Sequence, residues 1–378
     1  MKNKRTFRLI TLILILSMML VVFTACQGLR SMSNAAKSLV DVGLKYTLNT
    51  GGGGYTVSDY YSYSDKEVVI PSTYEGLPVV AIADEAFLGA DAKSIILPDS
   101  ITYIGEKAFW NCNNLTSIVI PDGVTSIKYG TFYGCSSLTS VTIGNNVTSI
   151  DRLAFDECIA LTSVIIPNSV ESIDESAFAC CTSLTNISVG ENNQNYKSID
   201  GNLYTKDGKS LIQYAIGKTD TSFTIPKSVK SIGIWTFRGC TSLSNITIPD
   251  SVVAIDSKTF FGCTSLVYNE YDNAYYLGND ANPYAFLISE KNTNITSCVL
   301  HENTKVIADR AFVDCSSLAS VTIPSSVTII GSLAFERCTN LTDIYYTGTE
   351  KAWTKITKYT FDAKHTNATI HYNYIPEG

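Results

Sequence analysis

The apolar positions of this chain recur in a phrase about 23 residues long. One unit reads C-x-x-L-x-x-[IV]-x-[IV]-P-x-x-V-x-x-I-x-x-x-[AT]-F-x-x-C. Aligned on its aromatic residue, the phrase returns at Phe87, Phe109, Phe132, Phe155, Phe178, Phe237, Phe260, Phe312 and Phe335, with spacings of 22, 23, 23, 23, 59, 23, 52 and 23. Each aromatic follows an isoleucine by five positions, from Ile82 and Ile104 to Ile307 and Ile330. In Ile118-Val119-Ile120-Pro121 the two isoleucines point one way and Val119 the other, which predicts a short strand. Pro121 ends it where a missing N–H costs the ladder least, and Pro98, Pro167, Pro226, Pro249 and Pro324 recur at the same place. A second extended segment follows, as in Val124 to Ile127, and the Ala-Phe turn brings the chain back. No single coil can bury these side chains alone. Stacking coils about 4.8 Å apart turns each repeat position into a column and makes one continuous core. The predicted fold is therefore a β-rich solenoid of ~23-residue coils, with short parallel strands stacked into a sheet and a cap at each end.

The phrase also fixes eight cysteines, each three residues after its aromatic: Cys112, Cys135, Cys158, Cys181, Cys240, Cys263, Cys315 and Cys338. A zinc site needs four ligands converging on one point. These thiols lie one coil apart and form a line. Parallel side chains in a ladder also suit disulfide torsions poorly. The reading preferred here is a column of buried thiols packed as small apolar groups beside Phe109, Phe132, Phe155, Phe178, Phe237, Phe260, Phe312 and Phe335. No metal or cofactor is expected. So many thiols in an exported chain suggest an anaerobic setting.

Export is signalled at the N-terminus. MKNKRTFR is basic, and LITLILILSMMLVVFTA runs apolar up to Cys26. Phe23-Thr24-Ala25-Cys26 resembles the lipobox of bacterial lipoproteins, in which the cysteine is diacylated. That resemblance implies a signal peptide at 1–25, lipidation of Cys26 and a membrane tether on the outer face of the cell. Residues 26–54 read as a flexible linker, with one possible short helix around 34–44. GGGG at 51–54 lacks the Lys-Ser/Thr of a phosphate loop and reads as a turn. The first 25 residues contribute +4 to a net charge of −7, leaving −11 on the rest. An acidic chain without Lys/Arg clusters is a poor partner for nucleic acid.

The repeat phrase looks like the BspA-type leucine-rich repeat of bacterial surface proteins. Phe109-x-x-Cys112-x-x-Leu115-x-x-Ile118-x-Ile120-Pro121 carries it nearly verbatim, IPSTYEGLPVVAI at 70–82 resembles its opening turn, and LTDIYYTGTEKAW at 341–353 resembles its closing unit. The resemblance covers roughly residues 55–374. It implies extracellular display and attachment to host or matrix proteins or glycans, with no catalytic activity and no invariant binding residue to carry over. The solenoid is placed at 55–345, with irregular insertions at about 190–222 and 267–303, and a C-terminal cap at 346–378.

Binding residues are sought on the outward strand positions. One column reads Ser117, Ser140, Ser163, Asn186, Asn245, Ser320 and Asp343; the next reads Val119, Thr142, Ile165, Ser188, Thr247, Thr322 and Tyr345. They form a flat face of hydroxyls and amides, too mixed for a regular threonine ladder. The insertion at 193–218 carries a hairpin signal at Lys206-Asp207-Gly208. The one at 267–288 holds Tyr268, Tyr271, Tyr275, Tyr276 and Tyr284, rigid amphipathic rings suited to recognition. The expected contact surface is thus Ser117, Ser140, Thr142, Ser163, Thr247, Thr322, Tyr345, Tyr271, Tyr275 and Tyr276. His301, His365 and His371 belong to no nucleophile or metal motif, and no two carboxylates are paired by the pattern, so catalysis is not expected.

Overall fold

Two parallel ladders run through every regular coil. In the computed structural model, which describes residues 43–61, 66–359 and 368–376, the first ladder joins Glu67–Val69, Ser94–Ile96, Ser117–Val119 and Ser140–Thr142. Its register is the sequence period itself: Ser117 pairs with Ser140, Ile118 with Val141 and Val119 with Thr142. The second ladder stacks two-residue strands, among them Ser126–Ile127, Ser149–Ile150 and Ser172–Ile173. The expected signal peptide, the acylated Cys26 and the possible helix around 34–44, up to residue 42, lie outside the described residues. Residues from Leu44 onward form one unit.

Each apolar repeat position becomes a column. Phe87, Phe109, Phe132, Phe155 and Phe178 stack ring on ring at 5.2–5.3 Å. This is the offset spacing that aromatic quadrupoles favour, imposed here by the rise of one coil. Tyr60 and Tyr214 occupy the same column beside Phe87 and Phe237. The buried apolar residues fall into two clusters, one from Val57 to Ile212 and one from Tyr204 to Ile356, which overlap in the first insertion.

The eight repeat cysteines are buried, and the ten cysteines among the described residues are free thiols. They do more than fill space. The Sγ of Cys112, Cys135, Cys158, Cys181, Cys263 and Cys338 donates to the carbonyl of the preceding coil's phenylalanine at 3.0–3.2 Å. That carbonyl already accepts the N–H of the residue three on in its own coil, Cys112 for Phe109 and Ala90 for Phe87. The thiol thus uses the second lone pair of a buried oxygen, which an alanine could not do. Burial pushes the Cys263 thiol up to about 12, so it stays a protonated donor. Cys298 stands in the apolar strand column, paired with Val321.

The insertions are wider coils rather than separate lobes. Tyr196–Ile199 and Asn202–Thr205 pair antiparallel across Asp200-Gly201, both with positive φ. Asn202–Thr205 then pairs with Ser210–Gln213 across the expected Asp207-Gly208 turn. Ser210–Gln213 rejoins the second ladder beside Ser231–Ile232. In the second insertion Asn269–Tyr271, Ala274–Asn279 and Asn282–Glu290 form an antiparallel meander, and Asn282–Glu290 rejoins that ladder at Val306–Ile307.

The N-terminal end corrects the boundary expected for the linker. Leu44–Leu48 is a strand, antiparallel to Tyr55–Tyr60. The glycines form its turn, where Asn49 accepts the N–H of Gly52 and donates its own to Gly54. Tyr46 stacks on Tyr74 at 4.0 Å. The hairpin covers the apolar end of the first coil, which would otherwise face water. At the other end Thr349 caps the short helix Glu350–Trp353, and Trp353 packs edge-on against Tyr346.

Candidate functional site

The strand face divides into an open part and a walled part. Ser117, Ser140, Thr142 and Ser163 lie on the open part and are exposed. Farther along, the same two columns continue through Ser297–Val299, Ser320–Ile323, Asp343–Tyr346 and Thr369–His371. There Val299, Thr322, Tyr345 and His371 share one row. Thr247, half-buried, pairs with Thr224 in a shorter stretch between the insertions.

The second insertion walls that row. The turn residue Asp272 accepts the N–H of Val299, and Asn273 donates to the carbonyl of Ser297. Two side chains thereby satisfy a strand edge that has no partner strand at those atoms among the described residues. This docking sets Tyr271, 41% exposed, edge-on to His301 at 5.0 Å. His301 is fixed from several directions. Its ring stacks on Tyr284 at 3.8 Å. Its backbone N–H donates to the Tyr276 hydroxyl, and its carbonyl accepts from Thr304 Oγ1 at 2.7 Å. Its Nδ1 accepts the N–H of Asn303 at 3.1 Å, which leaves the ring proton on Nε2. Desolvation lowers the His301 pKa, so the neutral tautomer holds at pH 7.

Between this wall and Thr347 and Pro376 lies a cleft of about 510 Å3. Its floor is Val299, Leu300 and Thr322, and Glu302 and Ser325 stand at its rim. Next along the row, Tyr345 stacks on His371 at 4.8 Å, and His371 Nε2 pairs with Asp343 at 2.7 Å. That bond draws the Asp343 carboxyl below its usual range.

Two sequence expectations change here. Tyr276 is fully buried, not a contact residue. It neighbours Tyr275 in one strand, so the two rings point to opposite faces, and Tyr276 supports His301 from beneath. Thr322, 7% exposed, is recessed because the insertion and the C-terminal segment rise on either side of its row. Tyr275 is half-buried against Tyr268 and does not line the cleft.

The pattern search missed a further set of side chains on the turn face. The residue after the repeat phenylalanine points outward there in most coils, the exceptions being Asp156 and Ala179. Trp110 stacks on Tyr133 at 4.0 Å. Trp110 also lies over Gly130, where a Cβ would meet its ring at 2.5 Å. In the next coil the same position holds Asp156, 1% exposed. Asp156 bonds to Arg238 at 2.8 Å across 82 residues of sequence. Arg238 lies over the ring of Trp235, which meets Phe261 edge-on. Burial pushes the Asp156 carboxyl up to about 6, against the pull of Arg238. Cys180 sits beside this cluster at a positive-φ position, and burial raises its thiol to about 11. The signal that could have found this face was the outward Leu88, Trp110, Tyr133 and Phe261 column, one residue past each phenylalanine.

Comparisons with known proteins agree with this architecture. The BspA-type leucine-rich repeat region matches in six copies over residues 80–206, 216–287 and 279–376. Among solved structures, the pneumococcal vaccine antigen PcpA is 20% identical, with 82% of this chain and 87% of that one covered at a TM-score of 0.55. A leucine-rich cell surface protein from Faecalibacterium prausnitzii is 28% identical, covering 84% and 97%, at a TM-score of 0.44. A leucine-rich repeat protein from Bacteroides ovatus is 25% identical, covering 89% and 99%, at 0.41. No curated protein sequence matches the chain.

Proposed function

Because the chain belongs to the BspA-type leucine-rich repeat family, we propose that it is displayed outside a bacterial cell as a non-catalytic binding protein, tethered by a lipid on Cys26. The observation that carries the binding reading is the cleft over Thr322, where Tyr271, His301 and the strand row converge. Ligand sites are concave, mostly preformed and equipped with a few fixed polar groups. The rigid seat of His301 meets that description better than the flat face at Ser117 to Ser163. The pair His371–Asp343 ties the last strand to the one before it, which is a structural use of a histidine and a carboxylate.

The test is retention of the protein on immobilised matrix proteins and glycans, in parallel with Tyr271→Ala. Loss of this exposed ring is expected to weaken the retained partner about tenfold or more, the effect of a hot-spot tyrosine. A protein that holds nothing from the panel would instead fit a structural coat component without an outside ligand. For the tether, Cys26→Ser is expected to move the protein from the membrane fraction into the medium. Retention of that variant would point to an uncleaved apolar N-terminus.

A further inference from the structure

The polar groups around the cleft are matched to a particular kind of ligand. Glu302 can only accept hydrogen bonds. His301, held with Nδ1 as an acceptor from Asn303, carries its proton on Nε2 and can donate there. Ser325 can do both, while Thr347 accepts the N–H of Ser325 and keeps its own hydroxyl proton to give. We propose that this cleft binds a neutral saccharide, whose C–H face packs against Tyr271 and whose hydroxyls exchange hydrogen bonds with Glu302, His301, Ser325 and Thr347. The proposal rests on the surface-binding reading above and names the ligand class for that site.

Several observations favour this class. The volume of about 510 Å3 lies within the roughly 300–1,000 Å3 of ligand pockets. Among the lining residues are neither lysine nor arginine, and Glu302 is a carboxylate. Phosphate, sulfate and acidic sugars would thus meet a like charge with no cation to offset it. A peptide adding as a strand would need open backbone edges. Those of Ser297–Val299 are taken by Ser320–Ile323 on one side and by Asp272 and Asn273 on the other. The wall is also preorganised. His301 is held by Tyr276, Tyr284, Asn303 and Thr304 before any ligand arrives, so little ordering is left to oppose binding.

The experiment is calorimetric titration of the detergent-solubilised full chain with neutral hexose and N-acetylhexosamine oligosaccharides. Acidic oligosaccharides and tyrosine-rich peptides form separate arms. At least one neutral oligosaccharide is expected to bind, with Tyr271→Ala and Glu302→Gln each weakening it about tenfold or more. Glu171→Gln, an exposed carboxylate far along the solenoid, is expected to leave it unchanged. Glu302 is exposed, so Glu302→Gln keeps the test valid if Tyr271→Ala misfolds. The proposal is overturned by no neutral-sugar binding, by binding indifferent to both variants, or by cleft-dependent binding of only an acidic sugar or a peptide. If neutral sugars fail while Tyr271→Ala still abolishes retention of a matrix protein, the saccharide class falls and the surface-binding reading stands. If both fail, both fall.

Discussion

Phe155→Ala lowers the stability of the solenoid by about 3–5 kcal/mol, the range for truncating a buried phenylalanine. The ring is fully buried and lies between Phe132 and Phe178 at 5.3 Å on both sides, with interplanar angles of 7° and 2°. Its removal opens a gap in the middle of a column. The neighbours cannot close that gap by moving together. Their spacing is set by ladder bonds on both sides, including Phe132 N–H to the Ala154 carbonyl and Phe155 N–H to the Ala177 carbonyl. The cost therefore belongs in the upper part of the range, where sites collapse least. A denaturant titration reads it as a lower midpoint. An unmoved midpoint would mean that the stacking register described here is wrong.

The second large effect is electrostatic. At pH 7, Arg238→Ala is expected to cost about 1–2 kcal/mol, because the buried Asp156 carboxyl, about one pKa unit below neutrality beside Arg238, loses its partner and takes up a proton. Asp156 is 1% exposed, its Oδ2 bonds to Arg238, and its Oδ1 is buried without a hydrogen-bond partner among the described residues. Glu157, 4.0 Å from the same guanidinium, adds a like charge beside it. Burial holds the Asp156 carboxyl at about 6 even with Arg238 present, well above its usual 3.8. A carboxyl raised on folding binds its proton more readily in the native state than in the unfolded chain. Between pH 6 and pH 4 it therefore makes the native state more stable as pH falls. Without Arg238 its pKa rises further, so the deficit of Arg238→Ala is greatest near neutrality and shrinks toward pH 5. Asp156→Asn should flatten that part of the profile. A gentler slope remains, because burial also raises Glu290 to about 6. Thermal midpoints of the three proteins at pH 7 and pH 5 decide the matter. An Arg238→Ala deficit that is equal at the two pH values would remove Asp156 as its cause.

Much of the fold was legible because one phrase repeats a single environment. Phe109, Cys112, Leu115, Ile118 and Ile127 each name a column, and their period of 23 is the register found between strands. The thiol's bond to a carbonyl was not legible, since packing alone also explains a small apolar residue there. Tyr214 precedes Phe237 by the repeat length and joins its column. It escaped the alignment because Lys209 and Gly217 replace the flanking isoleucine and cysteine. The burial of Tyr276 could have been read from strand parity. The recessed floor at Thr322 could not, because it depends on walls contributed by Tyr271 and Pro376, far apart in the chain. The Asp156–Arg238 pair was invisible for a related reason: the first insertion separates the two residues in sequence, while the stack brings them together. Repetition announces the columns, and departures from it have to be seen in space.

The in-register stacking has a consequence for how such a chain can change in size. Since Ser117 meets Ser140 and Ile127 meets Ile150 one period apart, 23 residues are the unit in which the regular stretches can be lengthened or shortened. Gaining or losing one unit returns every serine, isoleucine, phenylalanine and thiol to its own line. The coil from Phe87 to Phe109 is one residue short and still holds its register, whereas larger departures displace all that follow. The intervals of 59 and 52 residues are such changes, and each is absorbed by antiparallel strands that carry the excess outward before the chain resumes its count. The second of these also supplies Tyr271 and the wall of the cleft. The solenoid's arithmetic thus separates two kinds of variation: whole coils alter reach, and fractional ones create a place where something distinctive can be built.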